Sequence, residues 1–268
     1  MAHLAVPGPF DLVLTTERFR AFGIDRATVW HEGGLHRVVG GRELRIEAAP
    51  GGVEVEPLDT ATEPVVRSVL GLVFDLGPFY DWAAGDEVLG PATRRLAGFR
   101  PSLAPDPFEM VVGAITAQQV SLFSAVAIRN RMIERYGAQV GNAWAFPTRE
   151  RLASSTEEEL VALGFSRRKA EYTVGLARAD LDLASLAALP DEEVKGRLVA
   201  LRGIGEWTAE WFLARHLARP HAWPWGDLAL RKAVADLYGG LDVKEARERF
   251  HPFENLAAHY LLLAQRVP

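Results

Sequence analysis

The rhythm of apolar and polar positions changes near residue 58. Before it, alternating or β-branched runs recur at Phe10–Thr15, Ala27–His31, Leu35–Val39, Glu43–Ala48 and Val53–Glu56. Gly33-Gly34, Gly40-Gly41 and Pro50-Gly51-Gly52 separate them. A period of two broken by glycine pairs predicts hairpins in an antiparallel sheet. The segment Thr16–Phe22 reads as a short helix crossing that sheet. From Asp59 onward apolar residues fall at helical spacing: Val65, Val69, Leu72 and Val73; Phe108, Val111, Val112 and Ile115; Val126, Met132 and Ile133; Leu160, Leu163, Val174 and Leu176. Thr156 before Glu157–Glu159, and Asp191 after Pro190, are helix-start signals. No strand signal of comparable strength follows residue 60. The pattern predicts an α+β, predominantly α chain: a small antiparallel β-rich domain over residues 1–58, then a two-lobed helical body over 59–268.

Composition bounds the function classes. A chain of 268 residues accommodates two such units. With 49% hydrophobic and 24% charged residues it has the balance of a globular protein, which excludes disorder as the main state. The absence of cysteine excludes disulfides, thiolate catalysis, cysteine-held zinc and iron–sulfur clusters. No apolar run approaches the roughly 18 residues of a membrane helix, and Met1–Phe10 lacks the layout of a secretory signal. An intracellular, cytoplasmic protein with no membrane partner is expected. The net charge of −5 argues mildly against nucleic acid as a partner. It does not exclude one, because backbone N–H groups grip phosphate without appearing in a charge count. The seven histidines show no metal-ligand spacing; His216 and His221, five apart, are expected to be packing or surface residues.

The most informative stretch lies at residues 198–210. A helix is expected to end near Ala200 and another to begin near Glu206, with Gly203 and Gly205 flanking Ile204. Glycines one apart permit a tight turn with positive φ and leave amides unshielded. Ile204 is placed to bury between the helices. The second helix then offers free N–H groups and its dipole end to an anion. A helix C-cap followed by an N-cap reads the same way, so Gly-x-Gly alone is weak evidence.

More follows at meaningful distances. Asp106-Pro-Phe-Glu109, Ala114-Ile-Thr-Ala-Gln-Gln-Val-Ser121, Gly164-Phe-Ser-Arg-Arg-Lys-Ala170, Leu201-Arg-Gly-Ile-Gly-Glu-Trp-Thr-Ala209 and Pro224-Trp-Gly-Asp227 occur in that order. Through these landmarks the chain resembles the helix-hairpin-helix (HhH-GPD) base-excision DNA glycosylases, in particular the AlkA-like 3-methyladenine glycosylase II branch. The resemblance covers most of the helical body, and the strand-rich start suits the β-domain that precedes it in such proteins.

The resemblance implies that Asp227 is the catalytic carboxylate. Breaking a base–sugar bond builds an oxocarbenium-like charge, which an ionised carboxylate stabilises while it orients or deprotonates water. Asp227 is equally placed to N-cap the following helix. The lysine that attacks the sugar in strand-cutting relatives is replaced by Trp207, which is no nucleophile. A monofunctional enzyme leaving an abasic site is therefore implied. Trp207 and Trp211 share a helix face, and Trp223 and Trp225 lie near the acid. As indole faces attract cations, these tryptophans are expected to line a pocket for flipped, cationic 3-methyladenine or 7-methylguanine.

The resemblance also implies DNA contacts at Gln118, Gln119 (the wedge filling the hole left by the flipped base), Ser166, Arg167, Lys169, Gly203, Ile204, Gly205 and Thr208. No cofactor is required. A Na⁺ or K⁺ on the carbonyls of Val199, Leu201 and Ile204 is an inherited expectation, and the partner implied is double-stranded DNA with damaged bases, bound by a monomer. One departure stands out. Where the family carries Pro-Trp-Arg-Ser, this chain has Pro252-Phe253-Glu254-Asn255, with Leu262 near a later tryptophan position; a wider or differently polar pocket wall is expected. Competing functions are a non-catalytic DNA-structure binder using the hairpin alone, and a glycosylase for neutral oxidised or deaminated bases.

Overall fold

The computed structural model describes residues 1–267. Its N-terminal part is a five-stranded antiparallel sheet of β1 (Ala2–Ala5), β2 (Thr28–His31), β3 (Gly34–Val39), β4 (Arg42–Ala49) and β5 (Gly52–Glu56), in the order β1-β5-β4-β3-β2. Two-residue turns set the register. Gly40 and Gly41, at φ 56° and 75°, join β3 to β4, and Glu32 and Gly33, at φ 46° and 81°, join β2 to β3. Both central residues have positive φ, as the right-handed strand twist demands of a tight hairpin turn.

Two expectations fail here. Phe10–Thr15 is not a strand: Asp11 accepts the Leu14 amide at 2.9 Å and caps the short helix α1 (Leu12–Thr15). A local cap outweighs the β-branched pattern. The strand β1, read as no element from sequence, pairs with β5, roughly fifty residues on.

One face of the sheet buries Leu35, Leu44, Ile46, Val53 and Val55 together with Val66, Val69 and Leu70. The last three belong to or directly follow α2 (Glu63–Val69). The packing unit of the sheet therefore runs past residue 58, because a sheet with one apolar face needs a cover.

The helical body contains α3 (Leu76–Ala83), α4 (Leu89–Arg95), α5 (Pro107–Ala117), α6 (Leu122–Tyr136), α7 (Arg149–Ala153), α8 (Glu157–Ala162), α9 (Arg167–Arg178), α10 (Asp191–Val199), α11 (Glu206–Arg215), α12 (Leu228–Leu237), α13 (Ala246–Arg249) and α14 (Glu254–Ala264). Thr156 and Glu159 close a reciprocal capping box on α8. The periodic residues Val111, Val112, Ile115, Met132, Ile133, Leu160 and Val174 meet in one continuous core. A second sheet was not expected: β6 (Ala138–Val140) and β7 (Ala143–Ala145) form a hairpin. Strands of three residues are too short to display a period. They are held by long-range contacts, the Trp144 amide donating to Arg26 O at 2.9 Å and the Asn142 amide to Glu43 Oε1 at 2.8 Å.

Candidate active site

The hairpin of residues 198–210 forms as α10, a turn and α11. Ile204 is buried between the helices. Only one of the two glycines adopts positive φ: Gly203 at 86°, whereas Gly205 is an N-cap with extended backbone, at φ −107°. A Cβ on Gly203 would clash with the Tyr172 ring, while one on Gly205 would meet nothing within 4 Å. Gly203→Ala should therefore cost about 1–3 kcal/mol in backbone strain alone, plus displacement of the ring. Gly205→Ala meets no clash and should cost about 1 kcal/mol or less, alanine being the poorer N-cap. Calorimetric melting of the two variants checks this; equal losses would refute it. The Gln118 side chain donates Nε2–H to Gly203 O at 2.9 Å and ties the turn to the end of α5.

Asp227 opens α12. Its Oδ1 accepts the Leu230 amide at 3.0 Å, and its Oδ2 accepts both indole N–H groups, from Trp207 and Trp211, each at 3.0 Å. The i, i+4 spacing on α11 lets both rings reach one oxygen. A carboxylate has about four lone-pair sites; three are taken, and one stays free for a water or a sugar. The connector ending at Asp227 is anchored from the other face of α11, where buried Glu210 accepts the Trp223 amide at 3.1 Å. Burial raises the Glu210 pKa, against the pull of Lys195.

This carboxylate faces a cavity of about 210 Å³, below the roughly 300–1,000 Å³ of sites for larger ligands and suited to one flat ring system. Trp207 and Trp211 line it; Trp223 and Trp225 do not. Trp223 is 1% exposed and donates Nε1–H to Val243 O at 2.7 Å, a core residue. Trp225 has Lys244 Nζ 4.2 Å from its ring centre. Trp211 likewise carries the Arg215 guanidinium 3.7 Å above its ring. Of the two cavity rings expected to receive a cationic base, Trp211 thus already has one face occupied by the protein's own Arg215.

Five arginines reach the cavity, four of them with no local signal in the chain. Arg18, Arg37, Arg129, Arg215 and Arg266 line it, with the acids Asp25, Glu109 and Asp227. Arg37 pairs with Glu109 and Arg129 with Asp25. Arg266 reaches Glu17 at 2.9 Å. Arg18 donates to Ser102 O at 3.0 Å, and burial, with Arg129 nearby, pushes its pKa down to about 10. Burial and then Arg18 drive Arg215 well below its ordinary value. His259, packed edge-on to Trp211, is held neutral by burial and by the charges of Arg215, Arg18 and Arg266. Arg215 alone left a sequence trace: it continues the Trp207–Trp211 stripe by one more turn of α11.

The other expected contact residues separate into two groups. Gln119 is exposed in the turn between α5 and α6 with φ 54°, beside exposed Val120, Leu122 and Phe123. Ser166 and Arg167 are exposed at the start of α9. Lys169 instead turns inward, its Nζ donating to Thr116 O at 3.0 Å, and burial lowers its pKa. Thr208 is 1% exposed, so its hydroxyl is closed off from solvent in this conformation. Of the expected cation ligands, Leu201 O accepts the Ile204 amide at 3.1 Å and keeps a second lone pair. The 253–255 departure does not reach the cavity wall: Phe253 packs on Phe79 and Trp82, Asn255 caps carbonyls of Ala214 and Arg219, and Glu254 faces His221 and His251. Only Leu262 of that region lines the cavity.

Fold and site together define a helix-hairpin-helix protein with a carboxylate at the mouth of a base-sized cavity. The chain belongs to the family described as the HhH-GPD superfamily of base excision DNA repair proteins, which it matches over residues 112–258. It is 32% identical over 168 residues to a DNA-3-methyladenine glycosylase of Bacillus subtilis, covering 60% of this chain and 55% of that protein. It is 31% identical over 205 residues to a probable bifunctional transcriptional activator/DNA repair enzyme AlkA of Mycobacterium tuberculosis, covering 73% of this chain and 41% of the relative. The chain thus spans about half the length of these relatives. A solved 3-methyladenine DNA-glycosylase from Archaeoglobus fulgidus superposes with a TM-score of 0.89 at 29% identity, covering 100% of this chain and 99% of that one.

Proposed function

We propose that the protein is a DNA glycosylase that binds damaged duplex DNA as a monomer, takes one base into the cavity and hydrolyses its glycosidic bond. The observation that carries this is the Asp227 carboxylate, held by two indole N–H groups at the cavity mouth, on the element that follows the hairpin. The amides of Gly203 and Gly205 hold a backbone phosphate, the Ile204 amide being used by Leu201 O. Ser166 and Arg167 extend that grip, and Gln119 enters the duplex where the base leaves. Asp227 meets the positive charge developing on the sugar and directs water through its free lone pair. With Trp207 in the place of an attacking lysine, the product is an intact strand with an abasic site. A Na⁺ or K⁺ on the carbonyls of Val199, Leu201 and Ile204 would stiffen the hairpin; DNA binding tighter in K⁺ than in equal tetramethylammonium would support it, and equal binding would not.

Alkylated purines of the 3-methyladenine and 7-methylguanine type are the first substrate class, by likeness to the named relatives. The arginine-lined wall favours a second: neutral bases with exposed carbonyl oxygens, such as deaminated purines. Guanidinium N–H groups are donors, five to a side chain, so those not used by Glu109, Asp25 and Glu17 reward acceptor oxygens on a base. Incubating duplexes bearing each lesion with the protein, and identifying released bases by chromatography, tests both. Release of neither class refutes the glycosylase reading, and strand nicking without added base refutes the monofunctional one.

Trp207→Phe and Trp211→Phe keep the ring but remove the N–H. Each should lose about 1.5–3 kcal/mol of hydrogen bonding to a charged acceptor, a fall in single-turnover base release of roughly tenfold to a hundredfold. Unchanged rates would show that the indoles only fill space.

A further inference from the structure

Away from the cavity, the connector between α11 and α12 meets the start of α14 at His221, His251 and Glu254. The Glu254 side chain is 4% exposed, yet among the described residues its ion-pair partners are only the two imidazoles. His221 Nδ1 lies 3.1 Å from one carboxylate oxygen and His251 Nδ1 lies 3.2 Å from the other. The rings stack with centres 5.2 Å apart and planes 18° apart, each with Nδ1 toward the one carboxylate. The three ligand atoms lie within 4.8 Å of one another.

We propose that these residues form a site for one divalent first-row transition ion of the zinc type. Ligand bonds of about 2.0–2.1 Å at the tetrahedral angle separate ligand atoms by about 3.3 Å, close to the imidazole–carboxylate spacings here. Two imidazoles and a carboxylate are the donor set such ions prefer. The arrangement also answers a charge problem. Glu254 opens α14, whose dipole favours an anion, but that does not account for two parallel rings aimed at it. An ion held between the two rings and the carboxylate would supply a positive charge to the buried acid. The rings are exposed, so each Nε2–H can donate to water and an open ligand position faces solvent. Arg247 donates to the His221 carbonyl at 3.5 Å and, among the described residues, forms no ion pair with Glu254. Bound there, the ion would fasten the segment leading to Asp227 onto the last helix. This does not rest on the glycosylase reading.

The untagged full chain, stripped with chelator, should bind one Zn²⁺ per chain by calorimetric titration. Co²⁺ should give the intense visible absorption of a four-coordinate N/O site, and zinc should raise the melting temperature. His221→Asn and His251→Asn, both at exposed positions, should each weaken binding by about tenfold or more and abolish the melting shift. No saturable binding by the parent protein, or binding unmoved by both substitutions, overturns the proposal.

Discussion

Asp227→Asn should lower single-turnover base release by about 10³-fold while leaving lesion-DNA affinity nearly unchanged. A carboxylate about 4 Å from a full positive charge contributes about 4 kcal/mol at an effective dielectric of 20, and each 1.36 kcal/mol is a factor of ten in rate. The substitution has a structural cost that must be separated. Asparagine still caps α12 through its oxygen, but its NH₂ then confronts the two indole N–H donors that now meet Oδ2. A modest drop in melting temperature should accompany the loss. Combining Asp227→Asn with Trp207→Phe should relieve part of that drop without restoring activity. Release by Asp227→Asn within a factor of ten of the parent would remove Asp227 from the chemistry.

The largest stability effect is expected at the buried Arg37–Glu109 pair. Arg37 stands on β3 and also donates to Thr28 Oγ1 at 2.8 Å; Glu109 stands in the first turn of α5, whose cap Asp106 accepts the Glu109 amide at 2.7 Å. Burial alone would depress Arg37, but the adjoining carboxylate holds its pKa above the ordinary value. Glu109→Leu strands a guanidinium between sheet and helices, at about 3–5 kcal/mol. At roughly 2–4 °C per kcal/mol that is a melting-temperature loss of about 10 °C. Replacing Arg37 by Met as well should recover most of it, because the desolvation cost of the pair disappears with both charges. A loss below about 1 kcal/mol in the single variant would mean that water reaches the pair.

The hairpins of the sheet and the hairpin of the site were legible because their determinants are local. Gly40-Gly41 dictates its turn by itself, and Ile204 between two glycines needs only its flanking helices to find its place. The short strands β6 and β7 and the edge strand β1 were not legible, since distant contacts hold them. Trp223 shows the limit for single residues. It sits four positions before Asp227, yet its ring points into the core and its N–H is spent on Val243.

The chain alone therefore determined the α+β order of elements, the hairpin, the capping of α12 by Asp227 and the family landmarks, all of which follow from period, caps and spacing within a few turns of chain. Long-range packing, by contrast, set two indole N–H groups, and not indole faces, against the acid. It alone decided that five arginines from the N-terminal connector, the sheet, α6, α11 and the C-terminal end share one wall, and that His221 meets His251 and Glu254. The reason is physical. Periodicity records which face of an element is apolar, whereas charges converge on a cavity through the packing of segments far apart in sequence, and each arginine by itself looks like any solvated side chain.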